Sequence, residues 1–167
     1  MMSDTTTTKD SIVIERTFAA PVDLVWKMWT QPELFKQWYG PDNFRVPVVE
    51  MDVRVGGKHL FCMESADGSM KMWTTGEYLE VVPNERLVYT DSFSDENGNL
   101  ISPAEAYGMS DDQPTTTEVT VQLEDIGGQT KMVMTHANVD TEQEGAVAGW
   151  TQSLNKLEAH IESMLNK

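Results

Sequence analysis

The chain has only one cysteine, Cys62, among its 167 residues. A single cysteine forms no internal disulfide, so the sequence favours a reducing, cytoplasmic compartment. It also lacks any run of 18 apolar residues, which predicts that no transmembrane helix is present. The first ten residues, MMSDTTTTKD, have neither a basic start nor an apolar stretch. We interpret residues 1–10 as a disordered tail rather than a signal peptide.

Positive charge is scarce. Twelve Lys and Arg residues stand against 27 Asp and Glu residues, which gives a formal net charge of −15. So acidic a chain repels phosphate groups, and nucleic acids and membrane surfaces are therefore unfavourable partners. The charge is typical of a highly soluble protein; an acidic docking face for a basic protein partner is the alternative interpretation.

Motifs that hold metals, nucleotides or nucleophiles are also missing. Three His and one Cys, without HExxH or paired-Cys spacing, predict no metal site. No glycine-rich nucleotide cradle and no GxSxG elbow occurs. Cys62 lies in no catalytic motif, and we expect it to face solvent. The sequence therefore predicts no cofactor and identifies no catalytic residue.

Residues 12–38 carry the strongest structural signal. Apolar residues first alternate, which predicts a strand, and at Pro21 the period of two changes to the 3.6 of a helix. Pro32 ends this helix and starts a second short one. Both helices are rich in Trp, and we expect the bent pair to cover one end of a curved sheet.

The remaining sequence predicts an antiparallel sheet and a long closing helix. Five or six apolar strands follow one another through short Gly-containing and Asp-Gly turns. The polar segment 94–115 interrupts them and is expected to be a mobile lid or pocket mouth. From residue 147 onward, apolar residues recur at steps of three and four, which indicates an amphipathic helix. The fold class is therefore α+β, with residues 11–167 in one domain and a cavity between sheet and helix.

Six segments, in this order, resemble proteins of the START-like (SRPBCC) superfamily. They are ERTFAAPVDLVWKMWTQPELFKQWYGP, RVGGKHLFCM, DGSMKMWTTGEYLEVVPNERLVYTDSF, TTEVTVQLED, TKMVMTH and GAVAGWTQSLNKLEAHIE. The branch they resemble is that of the activator of the heat-shock-protein-90 ATPase, and the resemblance covers residues 12–163. It implies a helix-grip fold, in which a curved antiparallel sheet of the seven-stranded type wraps around the C-terminal helix and encloses an apolar cavity.

Strand alternation selects the side chains expected to point into this cavity. In KHLFCME, Lys58 and Glu64 prefer solvent, so His59, Phe61 and Met63 should point inward.

In WTTGEYLEVV, Leu79 and Val81 are more core-like than Tyr78 and Glu80. The same parity directs Trp73, Thr75 and Glu77 inward. Glu77 is then either a ligand contact or a hydrogen-bonded structural carboxylate, unless the alternation slips at Gly76.

The last strand adds Met134 and His136, and His136 is either a ligand contact or a hydrogen-bonded residue of the rim. Aromatic and methionine side chains form a soft apolar wall in such pockets. The complete set of candidate ligand-binding residues is His59, Phe61, Met63, Trp73, Thr75, Glu77, Tyr89, Tyr107, Met109, Met134, His136 and Trp150.

These observations lead us to expect a soluble, cytoplasmic binding protein for a hydrophobic small molecule, aromatic or lipid-like. Superfamily members include co-chaperones, lipid or polyketide binders and cyclases. One alternative is thus a stress-related, co-chaperone-like module that binds a protein partner. The other is a cyclase- or hydrolase-type enzyme that uses Glu77 and a histidine as acid and base. The sequence leaves the ligand and the oligomeric state open.

Overall fold

The architecture is an antiparallel sheet with one long helix and two short ones. The computed structural model describes residues 3–7, 11–102, 116–137 and 146–165. The strands are β1 (Ser3–Thr7), β2 (Ser11–Phe18), β3 (Phe44–Met51), β4 (Lys58–Ser65), β5 (Lys71–Val82), β6 (Arg86–Ser94), β7 (Thr116–Asp125) and β8 (Thr130–Ala137). The helices are α1 (Val22–Thr30), α2 (Pro32–Phe35) and α3 (Ala146–Leu165).

The strand order is β1-β2-β8-β7-β6-β5-β4-β3. Strands β3 to β8 form the predicted meander, and β2 returns to pair with β8, with Ile14 opposite Met134. The α+β fold with a curved sheet, two short helices after the first long strand and a C-terminal helix is thus confirmed. Within the described residues, no helix combines the length and the apolar character needed to cross a membrane.

Strand β1 lies in the stretch predicted to be a disordered tail. Its backbone pairs antiparallel with β2, with Ser3 opposite Arg16 and Thr7 opposite Ile12. Threonine is β-branched and has a high β propensity, so a run of threonines can form a strand although the segment is not hydrophobic. The expectation of disorder therefore does not hold for Ser3–Thr7.

An aromatic cluster joins the short helices to the sheet and to α3. The indole Nε1 of Trp38 donates a hydrogen bond to the backbone oxygen of Met28 at 3.0 Å, which fixes the bend after α2. Trp29 stacks on Trp150 of α3, with ring centroids 6.2 Å apart. Buried members of the cluster are Trp29, Phe35, Trp38, Tyr39, Phe61 and Trp150. Helices α1 and α2, together with Trp38 just after α2, therefore close one end of the core, as expected.

Helix α3 covers the concave face of the sheet through its apolar stripe, which consists of Trp150, Leu154, Leu157 and Ile161, all buried. Its polar flank binds the segment after α2, which is residues 36–43. The Gln152 Oε1 accepts a hydrogen bond from the backbone nitrogen of Asp42 at 2.8 Å, and Lys156 donates to the backbone oxygen of Pro41 at 3.3 Å. These two bonds set the separation between the helix and this segment.

A bulge in β5 reverses the orientation predicted for half of that strand. Tyr78 pairs with Tyr89 and Glu80 with Val88, which leaves Leu79 as an extra residue. Alternation changes phase at such a bulge. After it, Val81 packs against the core as expected, whereas Leu79 itself is 40% exposed and Tyr78 is buried.

Because of this phase change, Trp73, Thr75 and Glu77 lie on the outer face, and their predicted inward orientation is wrong. Residues directly opposite one another in antiparallel strands share a face. The register places Met72 opposite Met63, Thr74 opposite Phe61 and Gly76 opposite His59. Met72, Thr74 and Gly76 therefore face the core in their place.

Cys62 is also misplaced by the sequence interpretation, because it is buried with only 1% of its surface exposed. It does lie on the outer face, but there it is flanked by its register partners Val48 and Trp73. Burial raises the pKa of the Cys62 thiol. A buried thiol that holds its proton is a structural residue rather than a reactive one.

Residues 94–102, the first part of the predicted lid, form a tight turn. The Asp95 carboxylate accepts hydrogen bonds from the backbone nitrogens of Asn97 and Asn99 at 2.8 and 2.9 Å. Ser94 and Leu100 pair across the turn. Residues 103–115 lie outside the described residues, so a lid there stays a prediction.

Candidate functional site

A cavity of about 260 Å³ lies between the first half of α3, the segment after α2 and the concave face of the sheet. Its wall is mainly aromatic, methionine and glycine, with few polar groups. The lining residues are Tyr39, Gly40, Pro41, Met63, Met72, Thr74, Asp91, Phe93, His136, Gly149, Trp150 and Ser153. The position between sheet and helix is the one expected from the sequence.

Three of the predicted ligand-binding residues, Met63, His136 and Trp150, line this cavity. Phe61 and Met134 point inward but belong to the packed core, with 1% and 0% of their surfaces exposed.

His59 and Tyr89 are also inward-facing and buried, in the layer next to the cavity. The outward residues Trp73, Thr75 and Glu77 do not contribute to the cavity wall. Tyr107 and Met109 lie outside the described residues, and their proposed role as lid contacts stays a prediction.

His59 is a structural brace between three strands. Its ring crosses over Gly76, and Nε2 lies 2.7 Å from the backbone oxygen of Thr90, to which it donates a hydrogen bond. A Cβ atom at residue 76 would lie 1.8 Å from that oxygen and 2.7 Å from His59 Nε2, so only glycine fits. Burial lowers the pKa of His59 to about 4, which keeps the ring neutral.

His136 lies in a hydrogen-bond chain that links α3 to the sheet. The Trp150 indole, which can only donate, gives its hydrogen to His136 Nδ1 at 2.8 Å. His136 Nε2 therefore carries the ring proton and donates to Thr117 Oγ1 at 2.8 Å. Thr117 in turn donates to the backbone oxygen of Asp91 at 3.1 Å. Burial lowers the pKa of His136 to about 4, so the neutral form persists at pH 7.

Asp91 is the acidic lining residue that the sequence analysis missed. Its carboxylate accepts a hydrogen bond from the Thr74 side chain, whereas Oδ1 is buried and has no hydrogen-bond partner among the described residues. Burial raises the pKa of Asp91 to about 7, against the opposite effect of the Thr74 hydrogen bond. A carboxylate in a mainly apolar wall marks a candidate recognition site.

A signal for Asp91 was present in the sequence. In ERLVYTDSF, the alternation that carries Leu87 and Tyr89 inward also carries Asp91 and Phe93 inward. No bulge interrupts β6 between them. Asp91 is thus a carboxylate in phase with three large apolar residues. The same pattern was the reason for predicting Glu77 as an inward-facing carboxylate on the neighbouring strand β5.

The cavity does not bring together the predicted acid–base pair of Glu77 and a histidine. Both nitrogens of His136 are already engaged in hydrogen bonds. Glu77, the proposed acid or base, is exposed on the other face of the sheet. Within the described residues, no Lys or Arg lines the cavity, and no group of three or more His, Cys, Asp or Glu side chains is arranged to hold a metal ion.

Solved structures support the fold over nearly the whole chain. A protein from Chromobacterium violaceum superposes with a TM-score of 0.77 at 27% identity, covering 93% of this chain and 99% of that one. A protein from Arthrobacter aurescens gives 0.79 at 24% identity, with coverage of 96% and 91%. The AHSA1 protein of Silicibacter pomeroyi gives 0.72 at 20% identity, with coverage of 92% and 99%.

No protein of curated function matches the chain significantly. The family model described as Activator of Hsp90 ATPase homolog 1-like protein matches residues 19–162, which include every residue of the cavity wall. This chain therefore belongs to the family of Activator of Hsp90 ATPase homolog 1-like proteins.

Proposed function

We propose that this protein binds a small, mainly apolar molecule in the cavity between α3 and the sheet. The observation that carries the proposal is the composition of the wall, in which aromatic rings and flexible methionines surround a single carboxylate. Methionine adapts to irregular ligand shapes, and one fixed polar group among apolar ones orients a ligand.

The size of the cavity narrows the class of ligand. An apolar cavity of about 150 Å³ is enough to bind benzene. At about 260 Å³, this cavity can hold one ring with substituents or a short branched chain. It lies at the lower end of the range of small-molecule pockets, roughly 300–1,000 Å³. The volume therefore favours a compact ligand over a long-chain lipid.

Tryptophan fluorescence provides the test, because Trp150 forms part of the wall. Titration with a neutral one-ring probe such as benzyl alcohol should change the emission in a saturable manner. The variant Trp150→Phe is the control: most of the fluorescence change should disappear, while calorimetry still detects binding. Native mass spectrometry of the freshly purified protein should show a co-purified molecule of similar size. If no compact apolar probe binds, the proposal fails and binding of a protein partner becomes the better hypothesis.

A further inference from the structure

We infer that the ligand of this cavity carries a protonated amine that pairs with Asp91, so that the protein binds a compact hydrophobic amine. The inference rests on the proposed function and names the chemical class of its ligand. It depends on the unpartnered carboxylate oxygen, the aromatic surfaces around it and the charge of the remaining wall.

The carboxylate of Asp91 is incompletely satisfied by the protein. Thr74 donates one hydrogen bond to it, but Oδ1 has no partner among the described residues although it is buried. An unsatisfied buried acceptor costs free energy, and a buried charge costs more unless an opposite charge pairs with it. A ligand ammonium group supplies both a hydrogen-bond donor and the opposite charge.

The rest of the wall favours a cation over an anion. No Lys or Arg from the described part of the chain lines the cavity, so a ligand carboxylate would meet no opposite charge there. The rings of Tyr39, Phe93 and Trp150 lie in the same wall, and aromatic faces attract ammonium groups. The net charge of −15 also concentrates cations near the protein and repels anions.

The titratable groups around Asp91 remain neutral near pH 7. Burial raises the pKa of the phenols Tyr39, Tyr78 and Tyr89. Burial also lowers the pKa of His59 and His136 to about 4. Among the described residues, the titratable side chains that surround Asp91 from β4, β5, β6, β8 and the segment after α2 are thus uncharged. Helix α3 adds the non-titrating Trp150 and Ser153 to the wall, and its Lys156 ammonium is bound to the backbone oxygen of Pro41. Asp91 is the only one of these titratable groups whose charge changes near pH 7.

Binding of an amine should therefore displace a proton. With a pKa of about 7, Asp91 is partly protonated at neutral pH. Pairing with R–NH₃⁺ requires the carboxylate, so the carboxyl proton leaves for solvent when the amine enters. The ammonium keeps its own proton, because an alkylamine, like lysine, has a pKa of about 10. Amine affinity should then fall as the pH falls through 7.

Three probes with the same ring and different polar groups test the inference by calorimetry: benzylamine, benzyl alcohol and benzoate. At pH 8, benzylamine should bind wild type roughly tenfold more tightly than benzyl alcohol, and benzoate should bind least. Between pH 8 and pH 5.5, benzylamine affinity should fall roughly tenfold, whereas benzyl alcohol affinity should stay constant.

Two substitutions and one control complete the experiment. Asp91→Asn should abolish the preference for the amine and keep binding of the alcohol. Thr74→Val removes the bond that favours the charged carboxylate, so it should move the pH midpoint of amine binding upward even if Asp91→Asn folds poorly. Glu77→Gln is the matched control, since it makes the same carboxylate-to-amide change on an exposed outer-face residue. It should bind all three probes like wild type.

The outcomes separate this inference from the proposed function. If benzyl alcohol binds wild type as tightly as benzylamine, or benzoate binds best, the amine inference is overturned and the proposed function stands. An unchanged pH midpoint in Thr74→Val also contradicts it. If none of the three probes binds, both the proposed function and the inference fail.

Discussion

The indole Nε1 of Trp150 donates a hydrogen bond to His136 Nδ1 at 2.8 Å, and the two rings meet edge to face with centroids 5.6 Å apart. This contact joins α3 to β8 at the wall of the cavity. It also fixes the histidine tautomer, which in turn directs the other ring nitrogen toward Thr117.

Substitution of Trp150 should separate the contribution of this hydrogen bond to the free energy of unfolding from the contribution of the buried ring. Trp150→Phe keeps an aromatic ring and loses the donor, so the free energy of unfolding should fall by roughly 1 kcal/mol. Trp150→Ala also removes the buried ring and should cost roughly 3–5 kcal/mol. Urea unfolding measures both. Equal losses for the two variants, or none for either, would contradict the stabilising role assigned to the buried Trp150 ring.

Substitution by alanine should raise the stability of the protein at Gly149 and lower it at Gly76. Among the described residues, a Cβ at residue 149 would meet only Pro41 Cβ within 4 Å, at 3.9 Å, and alanine is a better helix former than glycine. Gly149→Ala should therefore stabilise the protein by about 0.5–1 kcal/mol.

Gly76→Ala would place a Cβ 1.8 Å from a backbone oxygen and displace the His59 ring. It should destabilise the protein by more than about 2 kcal/mol. Thermal and urea unfolding of both variants provide the comparison, and a mild effect at Gly76 would show that the His59 brace is misassigned.

The stability of Asp91→Asn relative to wild type should depend on pH. The pKa of Asp91 rises from 3.8 to about 7 on folding, so between these values the folded state binds more protons than the unfolded state. Its contribution to stability is therefore lost as the pH rises. The asparagine variant should be more stable than wild type at pH 8, and this advantage should disappear as the pH falls toward 4.

The two buried histidines have the opposite effect in both proteins and cancel in this comparison. Their pKa values fall from 6.5 to about 4 on folding, so their contribution is present above pH 6.5 and lost as the pH falls. Urea titrations at pH 8, 6 and 4.5 give the difference directly. A difference between Asp91→Asn and wild type that is constant with pH would show that the carboxyl group is not perturbed.

Cys62 should react slowly with thiol reagents in the native protein. It is 1% exposed, and burial raises the pKa of its thiol. Reaction with a disulfide reagent at pH 8 should be far slower in buffer than in urea, where the thiol is exposed. A native rate equal to the unfolded rate would mean that the outer face of β4 opens readily.

Much of the fold could be predicted from the sequence, because hydrophobic periodicity reports directly which face of a strand or helix is buried. The strand before Pro21, the Trp-rich segment after it and the stripe from Trp150 to Ile161 have clear patterns, although Arg16 occupies a buried position between Ile14 and Phe18. The residues of the candidate site were harder to predict, because their prediction depended on which alternate side chains of a strand face inward. One extra residue, Leu79, changes that alternation, and bulges leave little trace in a single sequence.

Glu77 and Asp91 show how such a change of alternation affects the prediction of a site residue. Both are carboxylates in strands whose other residues are largely apolar, but the prediction from alternation was made for β5, which contains the bulge, and not for β6. The register between β5 and β6, which no local pattern specifies, decides that Glu77 faces outward. Contacts from α3, such as that between Trp150 and His136, likewise depend on tertiary packing.

The most direct test of the account is binding of benzyl alcohol to a variant in which the cavity is filled. Gly149 lines the cavity, so a leucine there should occupy the ligand volume, whereas Ala148, its neighbour on α3, is exposed. Calorimetry with matched samples of known melting temperature should show binding to wild type and to Ala148→Leu, and loss of binding to Gly149→Leu. Equal affinity in all three proteins would mean that the cavity between α3 and the sheet is not the binding site.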